Sequence, residues 1–387
     1  NAYLALLAIN GPSGKTLQQA TEEVRSFLNQ KIAETGVDYL SGLEYNNLIG
    51  NDNDKSWQNT YDLCNSRTAK NCMEQMHEEL SGKPISNARL AEQISRYENL
   101  IEFNDYKGVT QLDINTPFGP YGTLLNIKRI YLSDAFVNQS SEQYLGVVIK
   151  DLLFWRMILK KGHLLITNMV TIATLSDDIN SLSVAIKQSR LTVVQLNQLQ
   201  GKINPLSVNE IDLGRTFEFE FKYGMSMIGP EEAESSIGLT EWVDFFQPQA
   251  THNLNYLHIT KPLKKVTALN TAEFYQYLES DQPAEGFASP VKWSPSMLYN
   301  PVGKILVGYA TPAYTDYIAR VHDLNGMFYL LKLQIEIALN PDRAVEQVIT
   351  NSEYTNPYTL KPMAYNSESH SIYFECMDKT SGCELDL

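Results

Sequence analysis

A chain of 387 residues with 43% hydrophobic and 20% charged residues is too apolar for disorder and long enough to bury roughly three quarters of its unfolded surface. Its net charge of −14 repels nucleic-acid phosphates and anionic headgroups, which argues against nucleic acid as a partner. The apolar stretch closest to the ~20 residues needed to span a bilayer, Tyr144 to Leu175, is broken by Lys150, Asp151, Arg156, Lys160, Lys161 and His163.

The chain opens on Asn1 rather than Met, which points to a removed signal peptide or an N-terminal anchor. Membrane contact is expected only through such an anchor. Leu4 to Ile9 suits a strand, and the Tyr3–Ile9 run suits docking on another surface. Gly11-Pro12-Ser13-Gly14-Lys15-Thr16 resembles the end of a phosphate-binding loop. That motif needs a glycine where Ile9 stands, so the expectation is a turn into a capped helix. Leu17 to Glu34 carries Leu17, Ala20, Val24, Phe27, Leu28 and Ile32 on one stripe, with Thr16 as cap and Gly36 as stop. Residues 41 to 60 read as a polar, Asn-rich loop.

The four cysteines form two close pairs, Cys64 with Cys72 and Cys376 with Cys383. Short loops lose the least entropy on closure, so local disulfides are expected. A four-thiolate zinc site would space its cysteines by about two to four residues. Disulfides persist in the periplasm or outside the cell and not in the cytosol, so a location in the periplasm or on an extracellular face is expected.

Further helices are expected at Asn71–Leu80, at Leu90–Ile101 with Ser86 as cap, and at Leu124–Val137. Gln143–Lys161, capped by Ser140 or Ser141, and Leu164–Gln188 join through Gly162 into an αα-hairpin. Thr216–Tyr223 fits strand and helix alike. Pro230–Ser236 is an acidic surface turn. Short helices follow at Thr240–Phe246 and Thr271–Leu278, then a Pro/Ser-rich connection over 281–301. Asn300-Pro301 opens a helix as cap and first residue. Pro312 starts a long helix whose stripe runs Tyr314, Tyr317, Ile318, Val321, Leu324, Phe328, Leu331, Ile335, Leu339, ended by Pro341. After a turn-rich 356–365, Ser371–Glu375 completes a small β-hairpin closed by the second disulfide loop.

The fold class is therefore mainly α, a multi-helix array of antiparallel helices with a small C-terminal β-hairpin. The expected organisation is a helical body over 1–280, a connection with the long C-terminal helix packed on that body over 281–345, and a hairpin tail over 346–387.

The six histidines lack metal-binding helical spacing; His252 and His258 stand six apart and face different sides of a helix. His163 and His322 read as structural. The acidic pairs Asp177–Asp178 and Glu231–Glu232 read as solvated faces, since neighbouring acids diverge by about 100° on a helix. No Gly-x-Ser-x-Gly elbow is present. No catalytic, cofactor or metal residue emerges. Phe287, Trp293, Tyr299 and Tyr309 are the candidate groove, set against a simpler role as rings packed over the core.

Several segments resemble a family of uncharacterised proteobacterial cell-envelope proteins, periplasmic or membrane-anchored. They are Asn1–Ala8, Asp151–Leu182 with Phe154-Trp155-Arg156, and Asn300-Pro301-Val302-Gly303-Lys304 leading into Arg320–Leu339. Asn356-Pro357-Tyr358-Thr359-Leu360-Lys361-Pro362-Met363-Ala364-Tyr365 is similar to a C-terminal hairpin of many envelope proteins, which carry Asp-Pro and a glycine before the lysine where Asn356 and Leu360 stand here. The resemblance implies an exported helical protein and no activity. The resulting expectation is a non-catalytic envelope protein that binds or scaffolds a protein partner. The rivals are a periplasmic hydrolase using carboxylates from separated segments, and a homo-oligomer or filament subunit.

Overall fold

A computed structural model of the chain describes residues 1–35, 56–61, 63–64, 71–108, 118–226, 246–280, 299–309, 314–378 and 382–387. The expectations for Gly36, Pro230–Ser236, Pro312, residues 240–245, most of 41–60 and most of 281–301 lie outside the described residues. The helices run α1 (Ala2–Ala8), α2 (Leu17–Thr35), α3 (Cys72–Gly82), α4 (Ala88–Leu100), α5 (Tyr121–Asn138), α6 (Ser141–Lys161), α7 (Leu165–Lys187) and α8 (Val193–Lys202). Then come α9 (Val208–Ile211), α10 (Gly214–Ser226), α11 (Pro248–Asn255), which continues through a π-turn into α12 (Lys261–Val266), α13 (Thr271–Glu279), α14 (Pro301–Tyr309), α15 (Tyr314–Leu339) and α16 (Val345–Asn351). The strands β1 (Ala364–Asn366), β2 (Ser371–Tyr373) and β3 (Glu384–Asp386) close the chain in a three-stranded antiparallel sheet. The protein is thus mainly helical with a small C-terminal sheet, as the periodicities predict. Among the described residues no helix is long and apolar enough to cross a membrane.

The start of the chain differs from the expected strand. The Asn1 side chain accepts the Tyr3 amide at 3.1 Å and also clamps Lys107, accepting its amide at 3.0 Å and donating to its carbonyl at 2.8 Å. An N-cap acceptor of this kind satisfies the first turn and favours helix. Every residue of α1 is buried, against α2 and α4. The Tyr3–Ile9 run therefore docks inside its own chain.

The ambiguity at 216–223 resolves as helix α10. Residues two apart on a helix point about 200° apart, and each direction finds a partner. Phe217 enters the core, Phe219 lies 4.7 Å from the His163 ring, Glu218 pairs with Lys264, and Glu220 reaches α7. Two caps differ in detail. Asn87, not Ser86, caps α4 through the Leu90 amide at 3.0 Å. Asn300 sits at φ 52° and turns its side chain away to accept the Gln247 amide at 2.8 Å, tying the start of α11 to α14. Ser140 caps α6 in a capping box with Gln143, as one of the two expected choices.

The αα-hairpin of α6 and α7 turns at Gly162, where a Cβ would meet Asn168 Oδ1 at 2.2 Å. Helix α7 is the centre of the fold, packed by α3, α5, α6, α10, α15 and β3. Helix α15 is buried on all sides between Ile318 and Ile335 rather than along one stripe. Trp57, within the expected polar loop, is fully buried. A continuous hydrophobic cluster joins residues from Ala2 to Leu385.

In the tail, β1 and β2 form the expected hairpin, with Ala364 opposite Tyr373, and β3 adds an unforeseen third strand on β2. Both disulfides join the expected neighbours, Cys64 with Cys72 and Cys376 with Cys383, at Cα separations of 5.5 and 5.6 Å. Leu360 stands at φ 57°, a left-handed conformation that glycine adopts without strain. The sheet seats on α15 through a close approach: a Cβ at Gly326 would lie 2.3 Å from the Phe374 ring.

Gly326→Ala sets two effects against each other. Alanine favours helix by about 1 kcal/mol, while overpacking a filled core costs about 1–3 kcal/mol. The ring is hemmed in, so the variant is expected to lose about 1–2 kcal/mol in urea unfolding and to expose its tail to protease sooner. An unchanged or raised midpoint would contradict this packing.

Candidate functional site

A cleft of about 460 Å³ opens between the first turns of α7 and α15 and one side of α10, within the size range of small-ligand pockets. Leu164, Leu165, Ile166 and Met169 form its apolar wall, Phe118 closes one side, and Glu220, Tyr223, Tyr317 and Arg320 supply polar groups. Glu220 is positioned by helix chemistry. Its Oε1 accepts the Leu165 amide at 3.1 Å, one of the unpaired donors at the start of α7. Burial nonetheless lifts the Glu220 carboxyl above its ordinary range, against the pull of that amide. Arg320 is already neutralised: its Nε donates to Asp378 Oδ2 at 2.7 Å, and its guanidinium lies 5.2 Å from the Tyr317 ring.

Through Asp378 the cleft meets the second disulfide loop. One turn beyond Arg320, the buried Asp323 clamps that loop, accepting the Met377 and Asp378 amides at 2.8 Å each and the Tyr358 hydroxyl at 2.5 Å. Burial pushes the Asp323 carboxyl up to about 6, although all three hydrogen bonds favour its charged form. Asp323 also lies within 4.8 Å of the sulfurs of Cys376 and Cys383; both are spent in the disulfide and hold no thiolate for a metal.

Behind the apolar wall a polar seam runs down α7 into the core. Thr167, Thr171, Thr174, Asp178 and Ser181 alternate at four and three residues and so share one face. Tyr121 meets Thr167 at 2.5 Å, and burial pushes this phenol up to about 12. Deeper, Lys128 of α5 lies 2.7 Å from Asp178 and 3.0 Å from Asp151 of α6, with all three side chains at 0% exposure. Its ammonium also donates to the Thr174 carbonyl. Tyr97 donates to Asp151 at 2.5 Å and accepts from Trp155 at 2.8 Å. Beside this set Arg129 pairs with Asp177 at 2.8 Å. Burial penalises the Lys128 ammonium, but Asp151, Asp178 and Asp177 together hold its pKa above the ordinary value. Burial and the Asp151 charge push the Asp178 carboxyl well above the ordinary carboxylate range, against the pull of Lys128.

This corrects the reading of Asp177–Asp178 as a solvated face. The two do diverge around the helix, one to Arg129 and one to Lys128, but both directions lead inward. The four–three recurrence of threonine, serine and aspartate was the available signal. Glu231 and Glu232 lie outside the described residues. So do Phe287, Trp293 and the Tyr309 side chain from the candidate groove; Tyr299 is exposed, 6.0 Å from the Lys304 ammonium.

The Gly11–Thr16 loop is built around cations, with its carbonyls turned inward. The buried Arg96 takes the carbonyls of Ile9, Gly11, Pro12 and Lys15 at 2.6–3.2 Å, and Arg89 takes those of Asn10 and Gly11. The Gly14 amide, which a phosphate loop would offer to its ligand, donates to Glu92 at 3.0 Å. Thr16 and Gln19 cap α2 reciprocally. The loop is a turn into a capped helix.

His77, His163 and His322 are buried among aromatic rings. His77 stacks on Phe136 and His322 on Phe274, at 3.8 and 4.5 Å. His163 sits among Tyr3, Tyr106 and Phe219. Burial depresses His77 and His322 to about 3 and His163 to about 4.

Comparison with protein-family models, with curated proteins and with solved structures found no match.

Two outcomes follow from these buried charges. Lys128→Met strands two carboxyls and is expected to lose about 3–5 kcal/mol at pH 7, whereas Asp178→Asn leaves Lys128 paired with Asp151 and removes a charge that burial disfavours, and is expected to lose less than about 1.5 kcal/mol. Equal losses in urea unfolding would refute this asymmetry between the lysine and Asp178. A histidine depressed in the folded state stabilises the fold above its unfolded pKa of about 6.5 and loses that contribution as pH falls toward 3. Between pH 7.5 and 5 His322 alone removes about 2 kcal/mol. The drop measured between these two pH values is therefore expected to shrink by that amount in His322→Gln; an identical drop in the variant would argue that His322 titrates normally.

Proposed function

We propose that this chain is a non-catalytic protein of the bacterial cell envelope that seats a segment of a protein partner in the cleft between α7, α10 and α15. The observation that carries the reading is the cleft itself: an apolar wall with polar groups at its edge, the pattern by which a partner's side chain is anchored. Its walls belong to two of the most buried helices in the fold, so it is preformed, and anchoring a segment there loses little conformational entropy. The two disulfides support an oxidising compartment, and the resemblance of the Asn356–Tyr365 segment to envelope hairpins supports the same location.

The hydrolase reading has less behind it. Such an enzyme needs two accessible carboxyls about 5–10 Å apart. Among the described lining residues the cleft offers Glu220 alone, Asp378 at its edge is paired with Arg320, and the buried Asp151 and Asp178 are sealed.

A photo-reactive side chain placed at Ile166, on the cleft wall, is expected to yield one discrete cross-linked product in envelope preparations from the source cells. The same group at the exposed Val208 of α9 is expected to yield none. Equal labelling from both positions, or none from Ile166, would remove the cleft as the docking site.

A further inference from the structure

We propose that the partner segment enters this cleft with a lysine, whose ammonium pairs with Glu220 while its stem and apolar neighbours lie against Leu165, Ile166 and Met169. The inference rests on the cleft reading above and adds the chemistry of the occupant.

Three observations carry it. The first is an unbalanced charge. Among the described residues no cation pairs with Glu220; its one hydrogen bond is to the Leu165 amide. The other charged group of the cleft, Arg320, is already paired with Asp378. A half-buried carboxylate without a counter-ion is held at a disadvantage that an incoming cation relieves, and the raised pKa of Glu220 reflects that disadvantage.

The second is the sign of the net charge. The chain as a whole carries −14. A field of this sign attracts a basic segment and repels an acidic one.

The third is geometry, which selects lysine over arginine. A guanidinium binds a carboxylate best through two parallel hydrogen bonds to both oxygens. One oxygen of Glu220 is already taken by the start of α7, leaving an acceptor suited to a point charge. A lysine stem also lies well along an apolar wall with its head at a polar edge, and a cleft of about 460 Å³ has room for it with a neighbouring aliphatic side chain.

The test uses the whole chain and four capped tripeptides, each with isoleucine on both sides of lysine, arginine, norleucine or glutamate. Binding is measured by calorimetry to the native protein, to Glu220→Gln and to Ile166→Ser. Glutamine still accepts the Leu165 amide, so α7 keeps its cap and only the charge is lost. The expected result is that the lysine peptide binds native protein at least about tenfold more tightly than the norleucine peptide, with arginine between them and glutamate weakest. Glu220→Gln is expected to erase the lysine preference, and Ile166→Ser, which removes apolar wall without adding charge, to weaken the lysine, arginine and norleucine peptides. Equal binding of lysine and norleucine peptides by native protein, both weakened by Ile166→Ser, would overturn the cation inference and leave the cleft as an apolar docking site. Arginine equal to or tighter than lysine would overturn the choice of ammonium. No binding of any peptide would remove the cleft reading along with it. The native-protein comparison stands even if a variant fails to fold.

Discussion

The architecture depends on one buried arrangement: the Lys128 ammonium of α5 held between Asp151 of α6 and Asp178 of α7, with no exposure to water. An ammonium is intolerable in a core unless it is paired and hydrogen-bonded, and a carboxylate equally so. Once α5, α6 and α7 are each committed to this point, their rotation about their own axes is set, because turning any of them buries an unpaired charge. Apolar packing alone tolerates small rotations and register shifts; this arrangement does not. Tyr97 and Trp155 extend it to α4 and around α6, and Arg129 with Asp177 repeats the principle one residue away.

Fixing α7 in this way has consequences at its ends. Its polar seam faces α5 and α6, so the opposite side meets α15, and its first turn is left to face α10 and the start of α15. That first turn has unpaired amides and apolar side chains together, and Glu220 answers the amides. The cleft is thus a by-product of where α7 begins. The C-terminal tail is drawn to the same region by Asp323 and by the Arg320–Asp378 pair. The second disulfide keeps that loop short enough for Asp323 to hold two successive amides. Tail, long helix and cleft edge therefore share one small set of polar contacts.

Much of this was legible in the residues. Three–four periodicity located α2, α6, α7 and α13 to within a few residues, because an amphipathic stripe and a capping side chain are local properties. The cysteine pairs were legible because chain entropy favours neighbours. The acidic pair Asp177–Asp178 was misread for an identifiable reason: burial of a charge depends on cations from α5, some fifty positions earlier, and a local window holds no trace of them. Glu220 escaped notice for the same reason, since its importance lies in facing the start of α7. The alternation at 216–223 was undecided because alternating rings satisfy a sheet surface and, when partners surround it, a helix as well.

Composition and spacing by themselves determined the helical class, the two disulfide loops and the C-terminal hairpin. Each follows from short-range backbone preference or loop entropy, neither of which needs a distant residue. Only the tertiary structure decided that the first residues form a buried helix and that acids on α6 and α7 share one lysine. It likewise decided that the glycine–lysine loop turns its carbonyls onto arginine and that a carboxyl on α10 sits uncompensated in a cleft. Those are matters of which charges meet, and charges separated in the chain meet only when packing brings them together.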